Sequence, residues 1–298
     1  MAGPLHAQVI SAAIAPYLTG TGATGRIHSV FRAALNVEFD DELLTFATPS
    51  TGALPNGVVL DSAVNLLEIG VLPGSSVWSD GRAVHATNVT VELDGAELWT
   101  PRLEPGGPWP ALEDMRGPLV RALARRSPPG GFSPLLEHLA DASSRATLRT
   151  PAAQAYPSIS DLVRSVRAND LLGALDGARR LIGLGDGLTP SGDDFLIGCA
   201  AALRALDHPL QAAFASGCRD LARDRTTSVA EMFYRFAARG EFSARIHSLI
   251  GSLREPAHEL TGAFDLALGW GASSGADCLL GLLLGGKGAR RPTVAEVP

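Results

Sequence analysis

Gly183-Leu-Gly-Asp-Gly-Leu-Thr-Pro-Ser-Gly-Asp-Asp194 runs directly into Phe195-Leu-Ile-Gly-Cys-Ala-Ala-Ala-Leu-Arg-Ala-Leu206, a polar, glycine-rich turn that opens an apolar helix. A helix beginning near Gly192 leaves its first backbone N–H groups without partners in the helix, aimed back at the turn. Such a helix start can bind an anion. Gly185, Gly187 and Gly192 present no side-chain bulk to a ligand, and the Thr189 and Ser191 hydroxyls add donors. Asp193 and Asp194 repel a bare anion unless a carboxylate points away or shares a metal ion with it. The same residues also suit a plain helix entry, in which Ser191 or Asp193 caps the helix, Pro190 fixes its first turn and the glycines allow close packing.

The pattern occurs twice. Ser191-Gly-Asp-Asp-Phe-Leu-Ile-Gly198 is matched in spacing by Ser274-Gly-Ala-Asp-Cys-Leu-Leu-Gly281, again ahead of an apolar run. If the two helix starts face each other, Asp194 and Asp277 converge with Ser191, Ser274 and Gly275 beside them; the alternative is a duplicated helix hairpin with small residues for packing. Between the copies, Arg223-Asp-Arg225-Thr226-Thr227-Ser228 places two guanidinium groups and three hydroxyls ahead of a helix from Val229 to Ala238, a set suited to a carboxylate or phosphate. Thr227 or Ser228 can equally be the cap of that helix.

Outward from this centre the chain changes character. Up to about residue 105, short runs rich in Val, Leu and Thr alternate with turns. Asp80-Gly81 and Asp94-Gly95 each separate extended runs, the mark of tight hairpins. Val89, Val91 and Leu93 alternate with polar neighbours, so one face of that strand meets a core. The Pro- and Gly-rich segments 101–110 and 127–134 break the chain, and helical periodicity follows almost to the end. Ser158 or Ser160 is placed to cap a helix carrying Leu162, Val163, Val166, Leu171 and Leu172. The expected fold is α+β: a small antiparallel sheet or barrel over 1–105, a linker with one helix over 106–134, and a mainly α-helical domain over 135–298 ending in a frayed tail from Arg290. In the first part, Arg26-Ile-His28-Ser29 and Leu54-Pro-Asn56-Gly57 are local polar clusters near turns.

Composition limits the chemistry. The 298 residues are 46% hydrophobic and 19% charged, enough for two cored domains. A net charge of −6 without a basic block argues against a nucleic-acid partner. Lys287 is the one lysine, so Schiff-base chemistry has a single candidate. Gly281-x4-Gly286-Lys287 imitates a phosphate-loop spacing, but Gly288 stands where Ser or Thr should hold magnesium. Seven scattered histidines give no zinc spacing, and Cys199, Cys218 and Cys278 lie apart in apolar surroundings, as buried thiols of a reducing, cytoplasmic compartment. No charged leader or apolar run of membrane-spanning length is present, so neither secretion nor a membrane is expected.

The stretch from Leu181 to Leu196 resembles the signature of the AllH-like family, named after a subunit of oxamate carbamoyltransferase. Arg26-Ile-His28-Ser-Val-Phe31, Thr226-Thr227-Ser228 with Gly240-Glu-Phe242 after it, and Gly271-Ala-Ser-Ser274-Gly275-Ala-Asp277 follow in that family's order, over nearly the whole chain. The family's usual Gly-Pro-Gly within the turn is Gly185-Asp186-Gly187 here, which adds a third carboxylate. The resemblance implies a partner-dependent transferase subunit in anaerobic allantoin breakdown, where a carbamoyl group is exchanged between oxalurate and phosphate to give oxamate and carbamoyl phosphate. On that reading Thr189, Ser191 and Gly192 hold a small anion, with Gly185, Gly187, Thr226, Thr227, Ser274, Gly275 and His28 around it. Arg225 clamps the other charge, and Asp193, Asp194 or Asp277 orients the acceptor nitrogen, takes its proton or holds Mg2+. Two rivals remain. One is a metal-assisted amide or phosphoester hydrolase using Asp194 and Asp277; the other is a structural or ligand-sensing subunit, which a closed, dry core around the motif would favour.

Overall fold

The computed structural model describes residues 4–20, 22–39, 42–106, 109, 124–127, 130–140, 151–254 and 260–288. The chain is α+β and divides into two compact units, Met1–Arg102 with Glu241–Arg245, and Leu103–Gly240 with Ile246–Pro298. Most of the helix expected in the 106–134 linker and the expected tail from Arg290 lie outside the described residues.

The first unit is a nine-stranded, barrel-like sheet: β1 (Leu5–Ser11), β2 (Thr24–Val30), β3 (Ala34–Phe39), β4 (Glu42–Ala47), β5 (Gly57–Leu60), β6 (Ser76–Ser79), β7 (Ala83–Ala86), β8 (Val89–Glu92) and β9 (Glu97–Trp99), with a short helix α1 (Ala15–Thr19) after β1. The order β5-β4-β3-β2-β6-β7-β8-β1-β9 closes on itself because β1 also pairs with β5, which removes open edges from most of the ring. The hairpin at Asp80-Gly81 is present: β6 and β7 pair antiparallel, Gly81 has φ +88°, and the Asp80 carboxylate accepts from Arg82 N at 2.8 Å and Ala83 N at 2.7 Å. Asp94-Gly95 is a turn but not a hairpin. The strands on either side of it do not pair with each other; both lie parallel to β1, β8 at Leu5–His6 and β9 at Val9–Ser11. With the parallel β4–β5 pair, these contacts make the sheet mixed where an antiparallel one was expected.

Interior polar residues tie the ring together. Asn56 is fully buried; its side-chain amide donates to Leu43 O and Thr45 Oγ1, and Thr45 donates in turn to Asn36 Oδ1. The polar cluster at Leu54-Pro-Asn56-Gly57 thus serves the sheet. The segment Glu241–Arg245 joins the same unit through Phe242 N to Pro101 O and Ala244 N to Ala53 O, a return that no local sequence signal announces.

The second unit is helical: α2 (Ser133–Ala140), α3 (Ala152–Arg167), α4 (Leu171–Leu181), α5 (Ser191–Ala205), α6 (Gln211–Ala222), α7 (Ser228–Ala238), α8 (Ala244–Arg254), α9 (Leu260–Leu268) and α10 (Ser274–Gly288). Ser158 and Ser160 are not caps. Helix α3 begins before them, and Ser160 Oγ donates back to Tyr156 O. Leu171 and Leu172 belong to the next helix, because Asn169 turns left-handed at φ 54° and Asp170 caps α4 by accepting from Gly173 N. The centre of the unit is α5, buried along its length except at Arg204, as its all-round apolar sequence requires. Helix α10 packs on it with backbones touching: a methyl at Gly198 would overlap the Cys278 carbonyl and one at Gly281 the Phe195 carbonyl, while one at Gly285 would stand tightly at 3.1 Å from the Cα of Cys199. These contacts pair equivalent positions of the two repeats, so α5 and α10 run side by side in the same direction. Gly281 and Gly285 are therefore packing glycines.

Candidate functional site

The side-by-side packing brings the two helix starts together, and the turn ahead of each is built alike. Helix α4 ends at Leu181, Leu184 N donates to Leu181 O, and Gly192 N donates to Leu184 O; in the second copy Trp270 N donates to Ala267 O, and Gly275 N to Trp270 O. Methyls at Gly192 and Gly275 would overlap the Leu181 and Ala267 carbonyls respectively. Left-handed glycines, Gly185 at φ +119° and Gly271 at φ +63°, sit against Ser191 and Ser274 in turn. The first copy is longer by three exposed residues, Asp186-Gly187-Leu188.

Ser191 and Asp193 do not cap α5. Pro190 occupies the cap position without a side-chain bond, and its carbonyl takes the N–H groups of Asp193 and Asp194. Asp277 N is likewise donated to Ser273 O. The first-turn amides expected to face a ligand are thus occupied at Gly192, Asp193 and Asp194, and in the second copy at Gly275 and Asp277.

The serines are used across the pair. Ser191 hydrogen-bonds the Asp277 carboxyl, and Ser274 hydrogen-bonds the Asp194 carboxyl. Each helix thus lends its first hydroxyl to the other's carboxyl. Thr189 joins the Asp194 side, with its Oγ1 3.1 Å from Ser274 Oγ, and Ser273 joins the Asp277 side. One oxygen of each carboxyl, Asp194 Oδ2 and Asp277 Oδ2, is buried without a hydrogen-bond partner.

Burial governs the protonation of this cluster. It pushes the Asp194 carboxyl well above the usual carboxylate range; the Ser274 hydroxyl opposes the rise, and the neighbouring Asp277 charge adds to it. Burial also raises Asp277, to about 6, against the Phe132 N–H and the Ser191 and Ser273 hydroxyls. Burial and the Asp277 charge thus make Asp194 the carboxyl of the pair that holds a proton more firmly.

Asp193 faces a different set of donors. Its carboxyl accepts from Tyr234 OH at 2.8 Å, Thr226 Oγ1 at 2.6 Å and Gly183 N at 3.2 Å to each oxygen, so it ties the turn to α7. Burial raises its pKa, and the two hydroxyls and the amide pull it back. Tyr234 was not singled out in the sequence. Neither was the Gly130–Ser133 segment, read as a simple break. Phe132 N donates to Asp277 Oδ1 at 2.7 Å, Gly131 at φ +52° packs so closely on Asp277 and Ser191 that a methyl would collide with both, and the Phe132 ring rests against Phe195.

The remaining candidates fall elsewhere. Thr227 caps α7, accepting from Ala230 N, and donates to the Leu188 carbonyl. Arg225 has an exposed side chain, and its carbonyl backs Gly183. Gly187 faces open space. His28 is exposed on β2, in the sheet unit, with Nδ1 3.1 Å from Ser29 Oγ. Among the described residues no group of three or more His, Cys, Asp or Glu side chains is placed to hold a metal ion. The three cysteines are free and buried, and burial holds Cys199 at about 12 and raises Cys218 and Cys278 as well. No helix of the described residues is long and apolar enough to cross a membrane.

Two family models match the chain. One, described as the AllH family N-terminal domain, covers residues 6–98, the barrel-like sheet. The other, described as oxamate carbamoyltransferase subunit AllH, covers residues 181–286, from the end of α4 through the site to α10. No solved structure matches the chain. With both models in chain order over most of its length, this protein belongs to the AllH family.

Proposed function

We propose that the chain is a carbamoyltransferase-type subunit that works with partner subunits and handles a small acid or amide at the paired starts of α5 and α10. The observation that carries this reading is the reciprocal Ser191–Asp277 and Ser274–Asp194 pairing, with one buried oxygen on each carboxyl left without a hydrogen-bond partner. The family description supplies the class of reaction. In the direction from oxalurate, a phosphate oxygen attacks the carbamoyl carbon, and the bond from that carbon to the oxamate nitrogen breaks. The departing nitrogen takes a proton from Asp194, while Asp277 takes the proton of the attacking phosphate. Thr189, Ser191 and Ser274 hold the two carboxyls in place, and Asp193, through Gly183, Thr226 and Tyr234, fixes the turn that carries Thr189. Such proton transfer contributes roughly 10²- to 10⁴-fold. The test follows carbamoyl phosphate formation from oxalurate and phosphate by the chain, alone and co-purified with its partners. Asp194→Asn is expected to lower kcat at least 100-fold; an unchanged kcat contradicts the reading.

A second reading is favoured by the burial of the cluster. Ser191, Asp193, Asp194 and Asp277 are all buried, with Asp277 at 0% exposure, as in a core that holds two helices together. On that reading the chain is a structural or ligand-sensing subunit, and the same assay finds the chemistry undisturbed when the carboxyls are replaced within an intact complex.

A further inference from the structure

The carboxyl at the start of α10 is covered by a wall one glycine thick. Asp277 is fully buried, whereas Gly131, just ahead of α2, is partly exposed. A methyl at Gly131 would stand 2.4 Å from Asp277 Oδ2, 2.7 Å from Asp277 Oδ1 and 2.8 Å from Ser191 Oγ. Glycine is therefore required here twice, by that contact and by the left-handed φ of +52°. Gly130 before it is exposed, at φ +132°, with open space where a Cβ would stand. Neither residue has a side chain packed into the core. What fixes the pair over Asp277 comes directly after it. The Phe132 N–H donates to Asp277 Oδ1 at 2.7 Å, and the fully buried Phe132 ring lies 6.2 Å, centre to centre, from that of Phe195.

We propose that Gly130 and Gly131 are the gate of this site: they swing away from Asp277 and Ser191 to admit a ligand, pivoting on the Phe132 ring, which stays in the core. This inference rests on the reading of Asp277 as a ligand-facing carboxyl, and it supplies the route by which a ligand reaches a fully buried group. Elements that open locally are those with few buried apolar contacts. Here the moving part is two glycines, and one hydrogen bond to a carboxyl holds it shut. A bond of that kind corresponds to roughly 10- to 150-fold in an equilibrium. The gate is thus open in a minority of molecules, yet far more often than the chain unfolds.

Amide hydrogen exchange on the full chain, read by NMR, tests the gate without a substrate. The Phe132 amide is expected to be protected by only about 10- to 150-fold, far less than Cys199 and Ala200 in the middle of α5. Its exchange should depend little on denaturant, because a local opening exposes little surface. Gly131→Ala, whose methyl has no room against Asp277 and Ser191, is expected to bring Phe132 to within about threefold of the unprotected rate while Cys199 stays protected. Carbodiimide coupling of a small amine to Asp277, mapped by mass spectrometry, should then run at least about tenfold faster than in the parent, in step with the loss of the closed state. Phe132 exchange that follows Cys199 through denaturant means opening by unfolding alone and overturns the gate. A Phe132 amide still protected in folded Gly131→Ala, or an Asp277 that resists coupling once Phe132 is unprotected, overturns it as well. If Gly131→Ala does not fold, exchange in the parent decides. Local opening at Phe132 together with an unchanged kcat in Asp194→Asn would keep the moving segment and remove the transferase reading, so the two failures are distinct.

Discussion

Asp194 and Asp277 stand at equivalent positions of two parallel helices, and each carboxyl takes a hydroxyl from the first residue of the other's helix, Ser274 for Asp194 and Ser191 for Asp277. The exchange makes the helix pair and the site a single construction: neither carboxyl keeps its surroundings if α5 and α10 separate.

The glycines at the crossing set how close the helices come. Gly198 and Gly281 each lie against a backbone carbonyl of the other helix, which cannot move as a side chain can. Gly198→Ala and Gly281→Ala are each expected to cost about 3 kcal/mol, the upper end of ordinary overpacking, and by similar amounts because the contacts are reciprocal. Gly187→Ala, at φ +98° in open space, should cost only the backbone strain of about 1–2 kcal/mol. Urea denaturation of the three variants checks the order; a mild Gly198→Ala or Gly281→Ala contradicts the close crossing.

Asp277 makes stability depend on pH in a defined direction. Its carboxyl rises from 3.8 to about 6 on folding, so between those values the folded chain binds more protons than the unfolded one. The contribution is fully present below about pH 3.8 and is lost as pH climbs through 6. The loss is about 3 kcal/mol by the usual conversion. Asp277→Asn lacks this proton, and its stability relative to the parent should improve between pH 4 and pH 7. Denaturant midpoints at the two pH values measure it, and a flat difference refutes the buried-charge assignment.

Asp193 acts by holding the turn, so its donors should matter to the backbone. Tyr234→Phe leaves a buried carboxyl oxygen short of its 2.8 Å donor and is expected to cost about 2 kcal/mol. The same change should speed hydrogen exchange at the Gly183 amide, which donates to that carboxyl. Unaltered exchange at Gly183 in a destabilised variant would assign Tyr234 to packing alone.

Much of this arrangement was legible in the chain, and the limits have physical causes. The repeat of Ser191 to Gly198 by Ser274 to Gly281 already places Asp194 and Asp277 at matching positions, because spacing within a helix start is local. The Asp80-Gly81 hairpin is legible for the same reason. Asp94-Gly95 misleads because an Asp-Gly turn need not reverse the chain; β8 and β9 run on in one direction, both parallel to β1. Phe132 and Tyr234 reach their carboxyls across 145 and 41 residues, and no local pattern marks such contacts. The occupied first-turn amides were equally hidden, since the Leu184 and Trp270 carbonyls meet Gly192 and Gly275 only once the turns are formed.

Isothermal titration of carbamoyl phosphate into the purified chain, the Asp194→Asn variant and the Asp277→Asn variant tests whether two helix starts make one binding site. Binding by the parent and its loss in both variants is the predicted result, because each copy of the repeat supplies half of the site. Binding that persists undiminished in either variant, with the fold intact, would contradict it.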